Sequence, residues 1–263
     1  MLRKVLKASF LSLVLSSSLM ASSVTKQECE VKEGSFIFAG NECIEYRAFE
    51  GENNDVITVI VHGTWDLGTN TLGRYAPFAE SMNMMTDLTT IAVALPGYSK
   101  SSTNNLKPLA SKEVKNLAAT KEYVTFLGEL ISALKEKYEA SSVNFIGHSA
   151  GAMMGGTLIG VKPELIQNIV LAGGRYDIHK INKDKGLISM VDVLDNIDKE
   201  TKILFVYGSE DKISEPSVTT EFFEIAKNKG LNVKLVEVKG AAHLDLDMTD
   251  TATAATVELF EEE

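Results

Sequence analysis

Apolar residues in this chain cluster in short runs, and between the runs they recur at helical intervals. Val56–Val61 (VITVIV) is continuous and mostly β-branched, which predicts a strand buried on both faces. Thr89–Leu95 is a second run, stopped by Pro96-Gly97. Val143-Asn144-Phe145-Ile146, Ile166–Leu171, Ile203–Tyr207 and Val233–Val238 predict four more strands. Val124, Leu127, Ile131, Leu134 and Tyr138 alternate spacings of three and four, one face of an amphipathic helix. A helix of small residues follows Ser149 and stops before Pro163. Another fits around 188–197, and the C-terminal tail is helix-like and closes on a run of glutamates. A further helix is expected with Ser214 as its cap, Pro216 in its first turn and Gly230 past its end. Near the start, Gly34–Asn41 reads as a strand entering a turn, so that about 28–50 forms an N-terminal hairpin. The stretch 65–76 (WDLGTNTLGRYA) is polar and glycine-dotted and reads as a loop.

Strands alternating with helices imply an α/β fold with a mostly parallel central sheet and helices on both faces. No repeat or linker divides the chain, so 22–263 is read as a single domain. The segment 175–202, where a cap domain would be inserted, has room for one connecting helix and not for a large lid.

Charge and the N-terminus narrow the class. The net charge of -10 repels phosphate backbones and anionic lipid, which excludes nucleic acid as a natural partner. Arg3, Lys4 and Lys7 precede a short apolar core, Ala8–Leu15, and a small polar end at Ser16–Ala21. This core is too short to span a bilayer, so 1–21 is expected to be a signal peptide. No cysteine follows it where a lipid anchor would attach, and its removal would take the net charge to -13. The expected location is periplasmic or secreted. Cys29 and Cys43, the only cysteines, are then expected to pair and staple the hairpin, contributing about 3 kcal/mol by chain entropy.

The candidate chemistry sits at the ends of the predicted strands, where open parallel sheets place their functional groups. Gly147-His148-Ser149-Ala150-Gly151 reads G-x-S-x-G between a strand and a helix, a sharp turn that would lift the Ser149 hydroxyl above the sheet. His62-Gly63-Thr64-Trp65 follows Val61, Gly208-Ser209-Glu210-Asp211 follows Tyr207, and Gly240-Ala241-Ala242-His243 follows Val238. A serine hydroxyl needs a base, and a histidine base needs a carboxylate to fix its tautomer. His243 and Asp211 fit those roles. Asp177, after Gly173-Gly174-Arg175-Tyr176, competes with Asp211 for the second. Backbone N–H groups of Ala150 and Thr64 are the expected oxyanion donors. His148 is read as structural, His62 as a brace of the oxyanion loop, His179 as a surface residue, and Asp245 and Asp247 as solvated or capping.

In their order along the chain, His62-Gly63, Pro96-Gly97-Tyr98-Ser99, the Gly147–Gly151 turn, Gly208-x-x-Asp211 and His243 resemble the α/β-hydrolase superfamily. The likeness runs from about Ile57 to the C-terminus, with Cys29–Glu50 matching that family's variable leading strands. It implies an uncapped serine hydrolase that cleaves a carboxylic ester through an acyl-enzyme, with no cofactor and no metal. A peptidase, thioesterase or amidase would use the same triad, and a non-catalytic binding protein could keep the fold. The expected partner is a small ester or acyl compound. Trp65, Tyr98, Met153 and Arg175 are the candidates to contact it, with Arg74 a second possible anchor for a substrate carboxylate.

Overall fold

Each β-branched run becomes a strand whose alternate side chains enter two different cores. The computed structural model describes residues 24–101 and 116–261; the expected signal peptide lies outside the described residues. The strands are β1 (Phe36–Ala39), β2 (Glu42–Phe49), β3 (Asn53–Val61), β4 (Leu88–Val93), β5 (Ser142–His148), β6 (Asn168–Ala172), β7 (Lys202–Gly208) and β8 (Val233–Val238). They form one sheet in the order β1-β2-β4-β3-β5-β6-β7-β8. β2 pairs antiparallel with β1 and β4, and every other pairing is parallel.

Parallel neighbours require crossovers, and helices supply them. The helices are α1 (Lys26–Glu30), α2 (Thr71–Thr86), α3 (Lys121–Lys137), α4 (Ala150–Val161), α5 (Met190–Val193), α6 (Pro216–Asn228) and α7 (Asp250–Glu261), of which α2 to α6 lie in the connections from β3 through β8. Ile57, Val59 and Val61 of β3 enter one continuous core, to which α3, α4 and α6 also contribute, whereas Ile60 enters the other, with Leu72, Tyr75 and Met82 of α2 and Leu259 of α7 among its members. β4 divides in the same way, Ile91 and Val93 to one core and Ala92 to the other. The period of two along each strand thus explains why a continuous apolar run was needed. Between β6 and β7 the chain carries only α5 and short 3₁₀ turns, with no large cap. No helix among the described residues is long and apolar enough to cross a membrane.

Three local expectations are corrected. Residues 65–76 are not all loop, because α2 begins at Thr71, where the Asn70 side chain accepts the Gly73 N–H at 3.0 Å. Gly73 and Pro77 weaken local helix preference, but burial of Leu72, Tyr75, Phe78, Ala79 and Met82 against the sheet outweighs it. Ser214 does not cap α6: that helix starts at Pro216 after Glu215, and the Ser214 hydroxyl donates instead to the Gly174 carbonyl at 2.9 Å. At the N-terminus β1 and β2 form the expected hairpin, but Cys29 lies on α1, capped by Thr25 and Glu28. The disulfide Cys29–Cys43, with Cα atoms 5.6 Å apart, therefore ties a short helix to β2 rather than closing the hairpin on itself.

Candidate active site

At the carboxyl end of β5 the chain turns through Ser149 with φ 53° and ψ -113°, a left-handed conformation that is costly for a side-chain-bearing residue. The turn is pinned by the Ser149 N–H, which donates to the Ala172 carbonyl of β6 at 2.8 Å. Glycine is required at 151, where a Cβ would meet the Val61 carbonyl, and at 147, where it would meet Gly151 backbone carbon at 2.7 Å. The elbow is therefore packed directly on β3, and α4 starts immediately after it.

Ser149, His243 and Asp211 come together from three separate strand ends. The Ser149 hydroxyl donates to His243 Nε2 at 2.9 Å, and His243 Nδ1–H donates to Asp211 Oδ2 at 2.7 Å. Asp211 Oδ1 accepts the N–H groups of Ile213 and Ser214, both at 2.8 Å. The carboxylate is buried with three donors on it, which fixes its orientation. Asp177, its competitor, instead accepts the His179 N–H at 3.0 Å and does not reach the imidazole.

The supporting histidines differ in role. His62 is buried, donates from Nδ1 to the Gly63 carbonyl at 2.7 Å, and accepts the Leu95 N–H on Nε2 at 3.0 Å. Burial pushes its pKa down to about 4, so it is neutral near pH 7 and laces the loop after β3 to the end of β4. His148 donates from Nε2 to the His243 carbonyl at 2.8 Å, and its Nδ1 faces the Tyr75 hydroxyl at 3.4 Å. It thus holds the backbone of the residue whose ring touches Ser149. His179 pairs with Asp192 on the surface at 2.8 Å.

A cleft of about 130 Å³ opens over Ser149, with Thr64, Ala150, Met153, Arg175 and His243 in its wall. The first N–H groups of an α-helix have no intrahelical acceptor, so the Ala150 amide of α4 is free to point at a ligand. Thr64 lies on the same cleft from the β3 side. Of the four substrate-contact candidates, Met153 and Arg175 line the cleft and Trp65 and Tyr98 do not. Trp65 packs on the α2–α7 core with the Arg74 guanidinium over its ring at 5.4 Å. The Tyr98 hydroxyl accepts the Ala118 N–H at 2.9 Å, and burial raises its pKa to about 12. Arg74 forms an ion pair with Asp245 and is likewise away from the cleft.

Asp247 also departs from the sequence reading. It is not solvated but 2% exposed, and neither of its carboxylate oxygens has a hydrogen-bond partner among the described residues. Burial raises its pKa against the opposing pull of His148, Arg74 and His243. The signal available was its position four residues after His243, which was not enough to tell burial from exposure. Among the described residues no cluster of His, Cys, Asp and Glu has an arrangement that could hold a metal ion.

A family model described as the alpha/beta hydrolase fold matches residues 76–194. No curated protein sequence matches the chain. Among solved structures it is similar to the esterase Pf2001 of Pyrococcus furiosus, with a TM-score of 0.67 and 15% identity over 90% of this chain and 95% of that one. It is also similar to Est1E from Butyrivibrio proteoclasticus with ferulic acid bound (TM-score 0.63, 15% identity, 86% of this chain and 98% of that one). The enol-lactonase from Burkholderia xenovorans is a third (TM-score 0.63, 15% identity, 87% of this chain and 100% of that one). At such identities the likeness is one of fold.

Proposed function

We propose that this chain, a member of the α/β-hydrolase fold superfamily, is a serine hydrolase that cleaves a carboxylic ester through an acyl-enzyme. The observation that carries the reading is the unbroken hydrogen-bond chain from the Ser149 hydroxyl through His243 to Asp211. His243 takes the Ser149 proton as Oγ attacks the carbonyl carbon, and Asp211 stabilises the imidazolium that forms. The tetrahedral oxyanion is held by the Ala150 and Thr64 amides. Collapse expels the alcohol, protonated by His243; water then repeats the sequence on the acyl-enzyme and releases the acid.

Two of the structural neighbours are named as esterases, which favours an ester over an amide or thioester. The disulfide Cys29–Cys43 supports export to an oxidising compartment, in line with the expected signal peptide. The test is turnover of short p-nitrophenyl esters, with fluorophosphonate labelling as the second readout. Ser149→Ala is expected to lose labelling and to lower kcat by about 10⁵- to 10⁶-fold. Equal rates in the two proteins would overturn the reading.

A further inference from the structure

Arg175 stands on the cleft with no carboxylate partner among the described residues, in a protein with a net charge of -10. Its Nη2 donates to the Ile213 carbonyl at 3.1 Å, which spans the loops after β6 and β7 and holds the guanidinium in place. Among the described residues that is its one hydrogen bond, and it forms no ion pair. The acidic side chains that share the adjoining hollow with it are engaged elsewhere. Asp177 caps the turn at His179, and Glu221 pairs with Lys180 at 2.9 Å.

The rest of the cleft explains why this matters. Met153, Ile178, Ile181 and Ile213 give it an apolar wall, and Ile181 and Ile213 are 57% and 65% exposed at its mouth. A guanidinium with unused donors beside such a wall is matched by a short apolar spacer ending in an anion. Its planar fork offers two parallel N–H donors, the geometry that a carboxylate accepts. We propose that Arg175 is a specificity-determining residue and that the substrate is a small ester bearing a free carboxylate. This rests on the hydrolase reading above. The apolar wall takes the spacer and Arg175 takes the charge, while the ester carbonyl lies at Ser149.

The experiment compares matched pairs of esters that differ only in charge. In one arm the anion is on the acyl side: monoethyl succinate against ethyl butyrate, and monoethyl adipate against ethyl hexanoate. In the other it is on the alcohol side: 4-acetoxybenzoate against 4-methylphenyl acetate. The readout is the ratio of kcat/KM for the charged ester to that for its neutral mate, which cancels losses common to both. Fluorophosphonate titration counts the competent sites in each protein. In at least one arm Arg175→Met is expected to lower the ratio about 10- to 100-fold, mostly through KM, with Arg175→Lys recovering part of it. The arm that responds tells which side of the scissile bond faces Arg175. Ser149-dependent turnover of the neutral esters with ratios shifted less than about 2-fold in both arms would overturn this inference and leave the hydrolase reading standing. Absence of Ser149-dependent turnover in every pair would bring down both.

Discussion

Asp177 and Asp211 carry the same group and follow neighbouring strands, yet one meets the imidazole and the other caps a turn. Asp211→Asn keeps the shape but offers an amide where His243 Nδ1–H needs an acceptor, which favours the wrong imidazole tautomer. The expected loss in kcat is about 10⁴-fold, while Asp177→Asn stays within about 3-fold. Esterase kinetics on the two variants decide it, and the reverse order would reassign the acid. Residues of this kind were legible in the sequence because their placement follows from backbone alone: the end of a strand is where a side chain reaches the cleft. Trp65, Tyr98 and Asp247 were not legible, because which way each side chain turns depends on packing partners far away in sequence. Trp65 turned onto Arg74, Tyr98 onto Ala118, and Asp247 into the space beside His148.

At the level of elements, the strands were read nearly in place because β-branched runs are local signals, whereas α2 was missed. Its apolar stripe at 72, 75, 78, 79 and 82 was present, but Gly73 and Pro77 inside it are breakers that the tertiary contacts overrule. The same limit hid α1, a five-residue helix too short to show a period, so Cys29 was assigned to the wrong element. What that element does is testable. Both cysteines are buried, and their bond joins α1 to β2 across a sequence separation of 14. A cross-link over that span contributes about 3 kcal/mol by chain entropy. Cys29→Ser/Cys43→Ser is therefore expected to melt about 6–12 °C below the wild type, with kcat little changed because the pair is remote from the cleft. Adding reductant should lower the wild-type Tm toward that of the double variant and leave the variant where it is. A wild-type Tm indifferent to reductant would show that the bridge contributes nothing.

One contribution to the pH dependence of global stability comes from a buried group that catalysis does not titrate. His62 is buried, and its two ring nitrogens are committed to the Gly63 carbonyl and the Leu95 N–H, so folding selects the neutral ring. Its pKa falls from 6.5 in an exposed setting to about 4 in the fold. Above pH 6.5 neither state binds the proton and stability is independent of it. Between pH 6.5 and 4 the unfolded chain takes up a proton that the folded chain refuses, so stability falls as pH falls, by about 3 kcal/mol across the window. Protonation also abolishes the acceptor for Leu95, which loosens the loop that carries Thr64. Other groups change over the same range, and the acidic chain's self-repulsion eases as pH approaches its pI of about 5.0. Those contributions are shared with a His62→Asn variant, so the difference between the two proteins isolates the imidazole. At pH 7 the variant should be the less stable in urea unfolding, since it cannot make both bonds. The gap should close by about 3 kcal/mol on going to pH 4, because only the wild type has a ring to charge. Parallel stability curves would mean that the ring is protonated in the folded state, and that the hydrogen bond from Leu95 does not hold it neutral.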